Sequence, residues 1–341
     1  MKTVKILTLS ALFSIFAIAC SSDDNGNGTG DEANLESRLY ASNNSDGNVT
    51  RYDVNDDSSF DSNTLLTLSL NSEGIYYDAT TDQVTQASRS LLQLNTYADA
   101  SITENGATIT VSASSSADLI SPRDIAVSSN IYVVADNSDA DGNPVTADGR
   151  LFVYTKTGNN FNLRNIVTVN FKVWGIEFVG NDLFAVVDTT SDIAVFTNFA
   201  SSNTTNATVE ASKRITVEGI TRTHGIAFDG GTMVLTDIGD ADSDTDGGFH
   251  VITNFQSKFD AVANGGTLAV ADQTRVSGAL TLLGNPVAAE YDAENQIVYI
   301  AERANGGGRV VSYTNFEAGG NIGPMMNATL SGASSLYLAK E

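Results

Sequence analysis

His224-Gly225-Ile226-Ala227-Phe228-Asp229 has near copies upstream at Glu73-Gly74-Ile75-Tyr76-Tyr77-Asp78, Arg123-Asp124-Ile125-Ala126-Val127 and Trp174-Gly175-Ile176-Glu177-Phe178. The four isoleucines stand 50, 51 and 50 residues apart, and a fifth copy, Val287-Ala288-Ala289-Glu290-Tyr291-Asp292, follows after 63, the excess falling in a polar stretch around residues 261–267. A constant period of this size means one structural unit packed against like units. After short turns such as Ser129-Asn130, Gly180-Asn181 and Gly230-Gly231, second apolar runs occupy 131–135, 183–187, 233–236 and 297–301. Third runs follow at 151–155, 193–197, 249–253 and 310–314, the last three closing in Thr-Asn-Phe at Phe199, Phe255 and Phe316. Looser fourth strands are expected at 166–170, 209–217 and 268–271. All are short, β-branched and aromatic, the composition of strands.

Four strands per repeat, no amphipathic helical stretch and only four prolines predict an all-β chain: a six-bladed β-propeller of four-stranded antiparallel blades. A β-sandwich competes, but it does not predict a fifty-residue self-similarity. One period back from Ile75 lands near Asn25, in polar sequence where no strand can form, so blade one, at Leu39-Tyr40-Ala41 and Val49-Thr50-Arg51-Tyr52, lacks its first strand. The segment Ser334-Ser335-Leu336-Tyr337-Leu338 follows the fifth copy at repeat distance and is expected to supply it, closing the ring in blade one. Blade two is the weakest match, since 83–88 is a poor strand pattern and Leu91-Leu92-Gln93-Leu94 has helical character; five blades plus an irregular one is the alternative.

At 341 residues the chain can bury a full core, and 41% hydrophobic content with 15 Phe and 11 Tyr excludes general disorder. Against 18 Lys plus Arg stand 41 Asp plus Glu, a net charge of −23 that argues against nucleic acid as a partner and makes cations the natural small ones. The one cysteine rules out an intrachain disulfide. Lys2 and Lys5 precede an apolar run over 6–19, the pattern of a secretory signal. Its end, Ala17-Ile18-Ala19-Cys20, resembles the bacterial lipobox, and that resemblance implies cleavage before Cys20, its acylation and attachment to a membrane through the lipid. Cleavage would remove two lysines and leave −25. Residues 20–35 read as a flexible acidic tether and 36–341 as the propeller domain; Ser21-Ser22-Asp23-Asp24 resembles the export signal of Bacteroidetes-type surface lipoproteins, implying an outer-membrane protein displayed outside the cell.

In a propeller the innermost strands all start at one face, so Glu73, Arg123, Trp174 and His224 should ring the channel mouth as a candidate ligand-binding constellation. The bland alternative is that Trp174 plugs the channel and Glu73 pairs with a basic neighbour. No nucleophile or metalloprotease motif occurs, so no catalytic residue is assigned. Two acidic loops resemble calcium-binding loops: Asn137, Asp139, Asp141 and Asp148 in blade three, and Asp242, Asp244 and Asp246 in blade five, with solvated hairpin loops as the alternative. Calcium is the one cofactor this implies.

The openings, with the second strand Ile131-Tyr132-Val133-Val134-Ala135-Asp136, resemble the six-bladed NHL-repeat and gluconolactonase-like propellers. That resemblance spans most of residues 36–341 and implies, for a lactonase, a divalent metal in the channel held by a Glu before the first Gly, matched by Glu73-Gly74. Trp174 and His224 stand where the family has Asn, and Arg123 would bring positive charge to the metal. The sequence therefore favours a monomeric, membrane-anchored binding or scaffold module for a protein or glycan partner, with a metal-dependent hydrolase or lactonase as the alternative.

Overall fold

A computed structural model describes residues 37–55 and 61–340. The lipobox with Cys20 and the acidic tether lie outside the described residues. The described chain forms six sheets, each joined through its innermost strand to the innermost strands of two neighbours, so that the six close a ring around an axis. The inner strands are Ala333–Lys340 in blade one, Ser72–Asp78 in blade two, Pro122–Ser128 in blade three, Val173–Val179 in blade four, Ile226–Asp229 in blade five and Pro286–Asp292 in blade six.

Ring closure is the one expected from the missing first strand. The C-terminal strand Ala333–Lys340 lies antiparallel to Ser37–Asn43, with Tyr337 opposite Tyr40 and Leu336 opposite Ala41, and Val49–Asp53 and Ser62–Leu65 complete that blade. Blade two is regular: Gln83–Ser88 and Gln93–Ala98 are both strands, paired from Gln83 with Ala98 to Ser88 with Gln93. Leu91 and Leu92 form the turn between them rather than a helix, because burial of Val84, Leu94 and Tyr97 between blades outweighs local preference.

The second strands are apolar on both sides because each blade is covered twice. Leu183, Ala185 and Val187 enter the core shared by blades three and four, while Phe184 and Val186 enter the one shared by four and five. Six such cores lie between successive blades. A strand with period-two side chains between two dry interfaces must be a continuous apolar run.

Three local features depart from the expected pattern. Blades three and four carry a fifth strand, Ala207–Val209 and Thr267–Leu268, added in parallel from the segment between the third and fourth strands of the following blade. Blade five takes Thr274–Ser277 as its fourth strand, and the expected 268–271 segment instead ends that added strand and begins a single 3₁₀ turn. Two short helices, Phe199–Ser202 and Phe255–Ala261, follow the Thr-Asn-Phe closures. There Asn198, Asn254 and Asn315 take left-handed φ values of 50°, 51° and 54°, a conformation Asn tolerates, which turns the chain so that Phe199, Phe255 and Phe316 are buried. Helices of four and seven residues show no helical period long enough to read from sequence.

Glycine in the repeated opening reflects close approach between neighbouring inner strands. A Cβ on Gly175 would lie 2.3 Å from the His224 carbonyl oxygen, which also accepts the Gly175 N–H at 3.1 Å.

Candidate functional site

The ring places Glu73, Arg123, Trp174 and His224 side by side at the starts of the inner strands of blades two to five, and they interact in sequence. Arg123 Nη1 donates to Glu73 Oε2 at 2.6 Å, and Arg89 Nη1 approaches Glu73 Oε1 at 3.3 Å. The Arg123 guanidinium carbon lies 4.3 Å from the Trp174 ring centroid, a cation–π contact. The Trp174 ring stacks on His224 with centroids 3.5 Å apart and planes 8° from parallel. His224 Nε2 lies 3.0 Å from Asp188 Oδ1, and Arg222 Nη2 reaches the same oxygen at 2.8 Å.

The electrostatics follow from burial. Desolvation pushes the His224 pKa down to about 4 against the pull of Asp188, so the ring is neutral near pH 7. Asp188, despite its own burial, is held below the usual carboxylate range by the His224 hydrogen bond and by Arg222. Neutral His224 donates from Nε2, since a carboxylate only accepts, and its buried Nδ1 has no partner among the described residues. Glu73 is taken up by two guanidiniums and His224 has no hydroxyl or thiol partner among the described residues, so the constellation forms a stacked, ion-paired network at the mouth.

Sequence reasoning did not assign Asp188 its place here, although its repeat position was readable. An acidic side chain ends the second strand in several blades and clasps the approach to an inner strand. Asp136 accepts the Ile120 and Ser121 N–H groups, Asp237 those of Thr221 and Arg222, and Glu302 those of Gly284 and Asn285. In blade four Asp188 holds Arg222 and His224 instead.

Beneath the mouth, an axial cavity of about 370 Å³ is lined by the inner strands of all six blades. Asp124, Glu177 and Glu290 face it. Burial raises Asp124 to about 7, opposed by N–H donors from Ile176 and Ile125. Burial and then the Asp124 charge raise Glu177 to about 8, and burial followed by Glu177 and Asp124 holds Glu290 well above the ordinary carboxylate range. Lys340, at the far end, is 2.9 Å from Asp229 and 2.6 Å from Asp292. Glu177 and Glu290 occupy the same repeat position, the residue after Ile176 and Ala289, which was the sequence signal available for them.

In the blade-three loop, carboxylate oxygens of Asp139, Asp141 and Asp148 lie within 4.8 Å of one another, the one such group among the described residues. Asp148 is buried and accepts the Ala140 and Asp141 N–H groups, and Gly142 takes φ +81° at the sharp turn. The Asn137 backbone N–H donates to the Ser121 carbonyl. In blade five Asp246 accepts the Asp240 N–H and Asp240 the Asp242 N–H, and Asp242, Asp244 and Asp246 do not gather into a comparable group.

No family model matches the chain, and no curated protein matches it. Among solved structures it is similar to a chain in the crystal structure of a nidogen/laminin complex, with a TM-score of 0.58 and 12% identity, over 89% of this chain and 98% of that one. It is also similar to a putative 6-phosphogluconolactonase from Bacteroides fragilis, with a TM-score of 0.54 and 10% identity, over 92% of this chain and all of that one. At such identities the likeness speaks for architecture: the chain is a six-bladed β-propeller.

Proposed function

We propose that this protein is a non-catalytic binding module, held on the outer membrane by a lipid on Cys20, that presents the face around the channel mouth to a protein partner. The observation that carries this reading is the state of the mouth. Glu73, the residue placed to hold a metal or act as a base, is ion-paired through both oxygens to Arg89 and Arg123, and Trp174 and His224 are stacked on each other. A general base needs a free lone pair within reach of its substrate. One of the similar solved chains comes from a complex between two proteins, which supports a binding role for this architecture. The blade-three loop is a weak calcium site in the same reading, three carboxylates stiffening a long loop on that face.

The test is capture from intact cells with the lipidated protein as bait, against a variant carrying Leu70→Asp and Leu91→Asp on the exposed turns beside the mouth. A partner retained by the parent and lost by the variant is the expected result. Turnover of lactones with added divalent ions, abolished by Glu73→Gln, would overturn the reading in favour of a hydrolase.

A further inference from the structure

The inner strands place one residue from each blade at a common level of the channel. Their pairing within the blades sets Tyr337, Tyr76, Ala126, Glu177, Ala227 and Glu290 there, in ring order from blade one to blade six. Tyr337 and Tyr76 are neighbours, in edge contact with ring centroids 5.0 Å apart. Glu177 stands across the axis from Tyr337, and the alanines on either side of it carry no side-chain donor. It has neither a hydrogen bond nor an ion pair among the described residues, although protein encloses it and the surface it keeps opens on the cavity. An ionised carboxylate in such a place lacks the compensation that a buried charge requires.

The charges around the cavity leave an acidic excess. Arg123, Asp124, Glu177, Asp229, Glu290 and Lys340 are the charged residues on its wall. Both cations are already matched, Arg123 by Glu73, and Lys340 by Asp229 and Asp292. Just outside, Arg89 joins Glu73 and Arg222 joins Asp188. Asp124 accepts the Ile125 and Ile176 N–H groups at 2.8 and 2.9 Å, and Glu290 faces the Leu338 N–H. Three carboxylates therefore share one cavity with no cation of the protein's own among the described residues. A bare metal ion does not suit them, since only Asp139, Asp141 and Asp148 among the described residues gather carboxylate oxygens within 4.8 Å of one another. The volume, about 370 Å³, is that of a small-molecule pocket. Tyrosine rings beside carboxylates suit an ammonium group on an alkyl chain.

We propose that the axial cavity binds a small organic cation, an aliphatic amine or diamine in its ammonium form, with Asp124, Glu177 and Glu290 taking the charge and Tyr76 and Tyr337 the methylene chain. Entry is from the end bearing Lys340 and Asp229, whose side chains are 32% and 41% exposed against 11% for Arg123 at the mouth. The site lies apart from the partner-binding face, and neither reading depends on the other. Burial raises all three carboxylates, Asp124 to about 7, Glu177 to about 8 and Glu290 well above its ordinary range, so an arriving cation displaces protons.

The test is isothermal titration calorimetry of the intact protein with 1,4-diaminobutane, with 1,4-butanediol as the uncharged counterpart and calcium chloride as the metal probe. The diamine should bind saturably and the diol should not bind. Binding should tighten from pH 6 to 8, by up to about tenfold per pH unit for each proton displaced, and the measured heat should change with the ionisation enthalpy of the buffer. Glu177→Gln and Glu290→Gln should each weaken it roughly tenfold. Asp260→Asn, which removes an exposed acid from the helix of blade five, should bind as the parent does, and cooperative thermal melts confirm that each variant is folded. No saturable binding, equal binding of the diol, or an affinity indifferent to pH or to both glutamine variants would overturn the proposal. So would calcium that displaces the diamine in an Asp148→Asn background, which would make the cavity a metal site. Capture of a partner from intact cells is read separately, so either result can fail while the other stands.

Discussion

Deleting residues 336–341 should open the ring, and the size of the effect follows from the hydrogen bonds and burial that this segment supplies. It contributes five register pairs to blade one, from Leu336 opposite Ala41 to Lys340 opposite Ser37. At about 1 kcal/mol net for each of roughly five ladder hydrogen bonds, the backbone loss is about 5 kcal/mol. Leu336 and Ala339 are buried and Tyr337 and Leu338 half-buried, and their apolar burial adds about 5 kcal/mol more. Lys340 also leaves Asp292, whose side chain is only 2% exposed, without its cation. The total, about 10 kcal/mol, is comparable to the whole stability of a typical domain. Residues 37–41 would become an unpaired edge facing the axis. The assay is thermal and urea unfolding of the propeller followed by far-ultraviolet circular dichroism, with sedimentation to detect association through the new edge. The expected outcome is a chain that is unfolded or aggregated at 25 °C. A truncated protein that melts within about two degrees of the parent would show that blade one does not need this strand and would refute the closure argument.

Stability should fall as pH rises from about 4 to 8: Asp124, Glu177 and Glu290 have raised folded pKa values, so their contribution is complete below the unfolded values and is lost as each ionises in the cavity, and these three outweigh the opposite trend from His224 and His250, whose lowered folded values add stability only up to about 6.5. The limiting slope is about 1.4 kcal/mol per pH unit for each group, and Glu177→Gln should flatten the dependence of melting temperature on pH in that window; an unchanged profile would contradict the cavity electrostatics. Gly175→Ala should cost about 2 kcal/mol or more, because its Cβ would lie 2.3 Å from the His224 carbonyl oxygen, and denaturant unfolding reads the loss. Millimolar calcium should raise the melting temperature by about one to three degrees through the Asp139, Asp141 and Asp148 loop, and neither Asp148→Asn nor the chelated parent should show the rise; a parent indifferent to calcium removes that site.

The repeat, the blade number and the closing strand were legible from sequence because each rests on local pattern. A strand between two dry interfaces must be apolar throughout, and an inner strand pressed against its neighbour favours a small residue at one position, so both signals recur at the spacing of the blade. The channel-mouth residues were legible for the same reason, since equivalent positions in successive blades must meet around the axis. The fifth strands of blades three and four were not legible: Ala207–Val209 and Thr267–Leu268 are too short for a period and exist only because the preceding blade leaves an outer edge to pair.

What those residues do to one another was decided by the tertiary structure. Arg89 and Arg123 come from blades two and three, and nothing in their local sequence says that both reach Glu73; packing of the two blades brings them to it. Asp124 occupies the position that holds Gly in three other blades, and sequence alone could not say that its carboxylate would accept the Ile176 N–H and face a shared cavity with Glu177 and Glu290. Side-chain type and spacing are properties of the chain, but the charge a buried group carries depends on the water it has lost and the partners it has gained, and those exist only once the ring is closed.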